Sequence, residues 1–215
     1  VSVVTFAVAS SYLASRALPA DGYMTVFLAL LELPALLVGV FLARRGQGAV
    51  RWKALLHEVL AGKSIVLLAG GLLIGWLAGP QGIQPLDRVF FDLFKGMLAF
   101  FLLEMGLVAA GRLADLRQAG PFLLIFAIGT PVCAGLLGLL TARLLDFSVG
   151  NSVLLATLYA SASYIAAPAA MRIAVPEANP ALSIGASLGV TFPFNLIAGI
   201  PLYHWLATYL KGALA

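Results

Sequence analysis

Ser161, Ser163 and Tyr164 stand in a run of unusually small residues, and the chemistry they could do there is coordination. Of the fifteen residues from Ala156 to Ala170, ten are Ala, Ser or Thr, and Pro168 interrupts them. A proline inside a helix removes one hydrogen bond and frees a carbonyl one turn back, here that of Tyr164, while small neighbours let another helix or a ligand approach it. Hydroxyls and freed carbonyls are hard oxygen donors for a cation, and a hydroxyl or a helix N-terminal amide can donate to an anion. The plainer alternative is a tightly packed, proline-kinked helix.

A second group of candidates surrounds two further prolines expected to break helices, Pro34 and Pro193. Glu32 lies two residues before Pro34 in an otherwise apolar stretch, where an ionisable group is functional by default because burying it unpaired is costly. Its alternative is a protonated or Arg-paired structural carboxyl. Thr191 lies two residues before Pro193, and Asn195 adds an amide nearby. Glu104 is the next candidate. Asp92 and Lys95, three apart on one helical face, are expected to pair with each other. Cys133 reads as a small buried hydrophobe, His57 as a solvated interfacial side chain and His204 as an interfacial or packed histidine.

The elements that must position these residues are membrane spans. With 62% hydrophobic and only 10% charged residues, the chain cannot cover a soluble surface and is an integral membrane protein. Crossing a bilayer takes about 20 apolar residues. That criterion gives spans at 23–43, 64–79, 89–110, 122–142, 151–171 and 181–210, with a shorter apolar stretch at 1–14. This odd inventory, in a chain that opens without Met, leads to the expectation that the N-terminal part of a longer protein is missing.

The net charge of +4 is a topology signal, not a nucleic-acid one, since the basic residues sit in the loops. Arg44, Arg45, Arg51, Lys53 and Lys63 make 44–63 the most basic connection, which places it in the cytoplasm. Loops with Arg16, Arg88, Arg143 and Lys211 then fall outside. Within 44–63, Val50, Trp52, Leu55, Leu56, Val59 and Leu60 recur at helical spacing, as in an amphipathic helix on the membrane surface. A docking surface for a soluble regulator is its alternative.

A faint internal repeat turns the reading toward transport. Shifting the chain by 159 residues superposes Ser2 on Ser161, Ala7 on Ala166, Pro34 on Pro193 and Leu37 on Leu196. The loop charges make the first segment run outward and 151–171 run inward, so the matched elements are inverted. Inverted repeats with interrupted helices meeting near the midplane build many secondary transporters. The division is 1–43 as the end of a first repeat, 44–63 as the connection and 64–215 as the second repeat.

These residues resemble a family. The run ASASYIAAPAAMRIAVPEANPALSIGASLGVTFPFNLIAGIPLY, from Ala160 to Tyr203, looks like the C-terminal region of the sodium-dependent bicarbonate transporters, and VSVVTFAVA with LELPALLVG resembles its first-half counterparts. The resemblance implies an all-α, polytopic, inverted-repeat fold with broken helices, a homotrimer, and bicarbonate and sodium held between facing Ser/Thr-bearing segments. Those segments correspond here to Ser2 and Thr5 and to Ser161 and Ser163. The cyanobacterial pattern Ser-Ser-Ser-Asp-x-Ser-Gly-Pro reads Ser161, Ala162, Ser163, Tyr164, Ile165, Ala166, Ala167, Pro168, so Tyr164 stands where a carboxylate is expected.

The functional expectation is a secondary transporter of a small anion in a bacterial inner membrane, with sodium-dependent bicarbonate uptake implied by the resemblance. Sodium is then expected at Ser161, Ser163 and Glu32, with Thr191 and Asn195 completing the pocket and no resident cofactor. The alternatives are a proton-coupled or facilitated carrier of another small anion, or a non-transporting scaffold or receptor of the same fold. No Ser/His/Asp set, metal-ligand cluster or phosphate-binding glycine loop argues for an enzyme; Gly46 to Gly48 lacks the Lys-Ser/Thr that a nucleotide loop needs.

Overall fold

A computed structural model of the protein describes residues 1–43, 53, 57, 60–61, 63–111, 113–164, 167–168, 171, 175–177 and 179–212. The expected amphipathic connection at 44–63 falls largely outside them. Every regular element among the described residues is helical. Among the described residues five helices are long and apolar enough to cross a membrane: α2 (Met24–Ala43), α3 (Val66–Leu86), α4 (Arg88–Gly111), α5 (Gly120–Leu144) and α7 (Leu182–Gly212). Two are short, α1 (Val3–Ala14) and α6 (Val149–Ala160), of 12 residues each.

At 1.5 Å per residue, α1 and α6 are each about 18 Å long, little more than half of the roughly 30 Å hydrocarbon core. Both belong to one end of the bundle. The turn after α1 and the start of α6 are knotted together there by Asn151, whose Oδ1 accepts from the Asp21 amide at 2.9 Å and whose Nδ2 donates to Asp21 Oδ2 at 2.6 Å and Tyr23 Oη at 2.8 Å. Lys211, closing α7, donates to the Phe147 carbonyl at the same end. From this end α1 and α6 reach inward with opposite chain directions and stop near the middle.

The expected continuous span at 151–171 is therefore corrected. Its helix stops at Ala160, and Ser161 is extended, with φ −82° and ψ 143°. The break is not made by Pro168, whose backbone is helical. Ser161 makes it, because its hydroxyl donates to the Leu158 carbonyl at 3.0 Å and its amide turns to the same acceptor. Pro34 and Pro193 are not breaks either. The backbone of α2 runs helically through Pro34. Around Pro193 the helix widens into two π turns, with Phe192 N bonding to Ser187 O and Ile200 N to Asn195 O, so the ladder absorbs the missing donor and continues.

The helical backbone does break at two glycines that precede proline. Gly79 (φ 62°) stands before Pro80 and Gly120 (φ 77°) before Pro121. Glycine alone enters the left-handed region without strain, and proline suits the first turn of the next helix, so Gly-Pro ends one helix and starts another.

The core is built on α6, buried at Gly150 to Leu158 and again at Ala160. It is apolar nearly all round, as a central helix must be. Small residues permit the approach: a Cβ on Gly138 of α5 would lie 2.7 Å from Ala156 Cα, and one on Gly150 would overlap the Pro19 carbonyl. The periphery is apolar as well, with Trp76 80% and Phe100 72% exposed. An apolar exterior of this kind suits a chain that lives in a bilayer. Cys133 belongs with these side chains; expected to be buried, it is exposed.

One proline leaves a debt inside this packing. Pro131 of α5 has no N–H, so the Ala127 carbonyl loses its helical donor, and Thr191 Oγ1 of α7 fills the place at 2.7 Å. Thr191→Val should lower stability by about 1–3 kcal/mol, since it orphans a buried carbonyl. Adding Pro131→Ala should recover most of that loss by restoring the intrahelical N–H. Thermal unfolding of the single and double variants in detergent checks both halves; no recovery would mean that Thr191 acts by packing alone.

Candidate functional site

The two half-length helices meet at Ser2 and Ser161. Ser2 is extended (φ −135°, ψ 117°) and caps α1, its Oγ accepting from Thr5 N at 3.3 Å. Its own amide donates to Ser161 Oγ at 3.0 Å, across 159 residues of sequence. The first serine thus starts one helix, the second ends the other, and a hydrogen bond joins them. Ser163 follows in the irregular segment and accepts from Ala167 N at 3.3 Å.

The electrostatics follow from helix polarity. The N-terminus of α1 carries unpaired N–H groups and partial positive charge, whereas the C-terminus of α6 carries unpaired carbonyls and partial negative charge. Here the two ends lie against each other. A crossing of this kind offers donors to an anion and oxygens to a cation within one small volume.

Glu32 of α2 lies within electrostatic range of the Val1 nitrogen, beside Ser2. Its residue is only 4% exposed, and Oε2 has no protein partner. The Tyr164 hydroxyl, buried next to the Ser2 side chain, makes no hydrogen bond of good geometry, and its ring packs edge-on against Phe192 at 5.5 Å. Among the described residues these are the two buried side-chain atoms left without a hydrogen-bond partner. Buried polar groups are normally satisfied, so two orphans beside one helix crossing single it out as the candidate site.

Ser2, Thr5, Glu32, Ser161, Ser163 and Tyr164 are thus brought to one region. Thr191 and Asn195 come close to it with their side chains already engaged on backbone, Thr191 on Ala127 O and Asn195 Nδ2 on Ala160 O at 2.9 Å. Asn195 Oδ1 lies 3.2 Å from the Tyr203 hydroxyl, which is also 3.1 Å from Pro131 O. Sequence reasoning missed Tyr203, Pro131 and Asn151. The one available signal was Asn151 at the head of an apolar stretch.

Glu104 is exposed on α4, away from the core. Asp92 and Lys95 do not pair as expected; both are exposed, and Lys95 instead borders a groove of about 960 Å³ between α1 and α4 that runs from Val3 to Ser15. His204 is packed, its Nδ1 3.2 Å from Tyr12 Oη.

The sequence profile of the Na+-dependent bicarbonate transporter superfamily matches residues 1–208. The chain belongs to this superfamily. No curated protein matches it. As a member of the Na+-dependent bicarbonate transporter superfamily with five span-length helices, it is a multi-pass membrane protein. Its superfamily is one of transport, and the place where its two half-helices abut is the candidate site.

The crossing is directly testable. With Cys133→Ser as background, Ser2→Cys combined with Ser161→Cys should form a disulfide in native membranes under mild oxidant, because the two backbones approach within reach of such a bond. A pair placing the second cysteine at exposed Leu144 should not. Equal cross-linking of both pairs would dissolve the crossing.

Proposed function

We propose that this chain is a sodium-driven importer of bicarbonate that works at the crossing of α1 and α6. The observation that carries the reading is the abutment of two oppositely charged helix ends at Ser2 and Ser161, flanked by the unpartnered Glu32 carboxyl and Tyr164 hydroxyl. Bicarbonate is a small planar anion with one O–H. The N–H groups opening α1, with the Ser2 and Thr5 hydroxyls, suit its charged oxygens. Sodium suits the other half, made of the C-terminal carbonyls of α6 other than the Ala160 oxygen that Asn195 holds, with Ser161, Ser163 and the Glu32 carboxylate, all hard oxygens.

Each ion then lowers the cost of the other, since each would otherwise stand as an isolated charge in low dielectric. That mutual dependence is the physical basis of symport. Thr191 and Asn195 serve as frame, each donating to a backbone carbonyl, Ala127 O and Ala160 O. By family resemblance the assembly is a homotrimer in the bacterial plasma membrane; by its basic residues 44–63 lies on the cytoplasmic side, with a docking surface for a soluble regulator as its functional alternative.

One observation favours proton coupling as a second reading. Tyr164 replaces the carboxylate of the cyanobacterial pattern with a phenol that stays neutral near pH 7, so among the described residues Glu32 is the carboxyl at the crossing, and it can carry either sodium or a proton.

Uptake by the full chain in proteoliposomes separates the two. Glu32→Gln should raise the half-saturating sodium concentration at least tenfold, about 1.4 kcal/mol of cation binding, with expression intact. If instead the pH dependence alone disappears, the proton reading replaces the sodium one; unchanged ion dependence returns Glu32 to a structural role.

Tyr164→Asp restores a charged hard oxygen next to the break and should lower the half-saturating sodium concentration. Loss of uptake by this variant, together with tight saturable sodium coupling in the unaltered chain, would place Tyr164 in the anion pocket.

A further inference from the structure

The frame holds a residue outside the crossing that nonetheless reaches it. Ala160 O is one of the last carbonyls of α6 and would be a natural oxygen for a cation at that helix end. Asn195 occupies it, with Nδ2 at 2.9 Å. An amide side chain has two faces, and only the N–H face is attractive to a carbonyl; turning Oδ1 toward Ala160 O is repulsive unless a cation lies between them.

What fixes the face is Tyr203. Its hydroxyl lies 3.2 Å from Asn195 Oδ1 and 3.1 Å from Pro131 O. Pro131 O is already served within α5 by the N–H one turn on, so the Tyr203 proton is worth most on Oδ1. The seat is close-fitting: Tyr203 and Asn195 are 0% and 1% exposed. Cβ atoms on Gly135 and Gly199 would lie 2.5 Å from the Tyr203 ring and 2.6 Å from Asn195 Oδ1. These two glycines leave the pair just enough room.

We propose that Tyr203 is a positioning residue that sets the sodium affinity of the crossing through Asn195, by locking the amide with its N–H face on Ala160 O and so keeping both Ala160 O and Asn195 Oδ1 out of the cation's ligand set. This rests on the sodium-coupled reading above. The lock keeps the cation site weak. A transporter must release its ion on the far side, and a site with two fewer oxygens lets go more readily.

The test is sodium dependence of uptake by the full chain in proteoliposomes, with sodium-induced thermal stabilisation in detergent as a second readout of the same affinity. Tyr203→Phe keeps the ring in its seat and removes the lock. It should lower the half-saturating sodium concentration about tenfold while leaving the half-saturating bicarbonate concentration at saturating sodium within about twofold. Asn195→Leu removes the amide, and in that background Tyr203→Phe should shift sodium affinity no further.

An unchanged or raised sodium requirement in Tyr203→Phe, whatever the change in maximal rate, overturns the proposal, because a merely structural tyrosine would show that pattern. A sodium shift that persists in the Asn195→Leu background also overturns it, by showing that Tyr203 does not act through Asn195. Sodium-independent uptake by the unaltered chain would bring down the transport reading along with it, an outcome distinct from a sodium-dependent chain that is indifferent to Tyr203→Phe.

Discussion

The constraint on which the rest depends is that hydrocarbon offers no hydrogen bonds, so a helix interrupted inside a membrane must find protein partners for the groups it frees. This chain interrupts α6 at Ser161 and caps α1 at Ser2, and its polar side chains are disposed accordingly. Asn195 serves Ala160 O, Ser161 serves Leu158 O and the Ser2 amide, and Thr191 serves the carbonyl that Pro131 strands on α5. Once these bonds are drawn, the buried side-chain oxygens left over among the described residues are Glu32 Oε2 and Tyr164 Oη. The candidate site is what remains when the frame is complete.

Close approach is the second requirement, and small residues supply it. A hydrogen bond from Asn195 on α7 to the end of α6 needs the two backbones near each other, and glycine at 135, 138 and 199 leaves space that any Cβ would take. Hydrophobic driving force is weak between helices already in lipid, so packing and these few polar bonds set the arrangement. The same economy explains the knot at the other end, where Asn151 satisfies both of its functional groups on Asp21 and Tyr23 and so anchors the turn after α1 to the head of α6.

Prolines marked buried polar positions well and backbone breaks poorly. Pro34 and Pro193 flag Glu32 and Thr191, but the helices run through them, because one missing N–H can be absorbed by a π turn or covered by a neighbouring hydroxyl. The interruptions fall where a residue adopts a conformation no helix contains: an extended serine, or a glycine at positive φ before a proline. Ser161 could not be picked out in advance as the break, since its extended backbone is stabilised by contacts to Leu158 and to Ser2, a partner 159 positions away.

By itself the sequence determined the solvent, the helical class, most of the span positions and the family, because these follow from composition and hydropathy over windows of about 20 residues, or from ordered motifs. It also brought forward Ser2, Thr5, Glu32, Ser161, Ser163 and Tyr164, polar residues in places where lipid makes polarity costly. Only the tertiary structure decided that six of the named candidates gather at one crossing while Thr191 and Asn195 are bound to backbone, that the break is at Ser161 and not Pro168, and that Tyr203 and Pro131 matter. Each of these depends on which carbonyl is left without a donor and which distant side chain lies within about 3 Å of it, a relation between chain segments that no local pattern encodes.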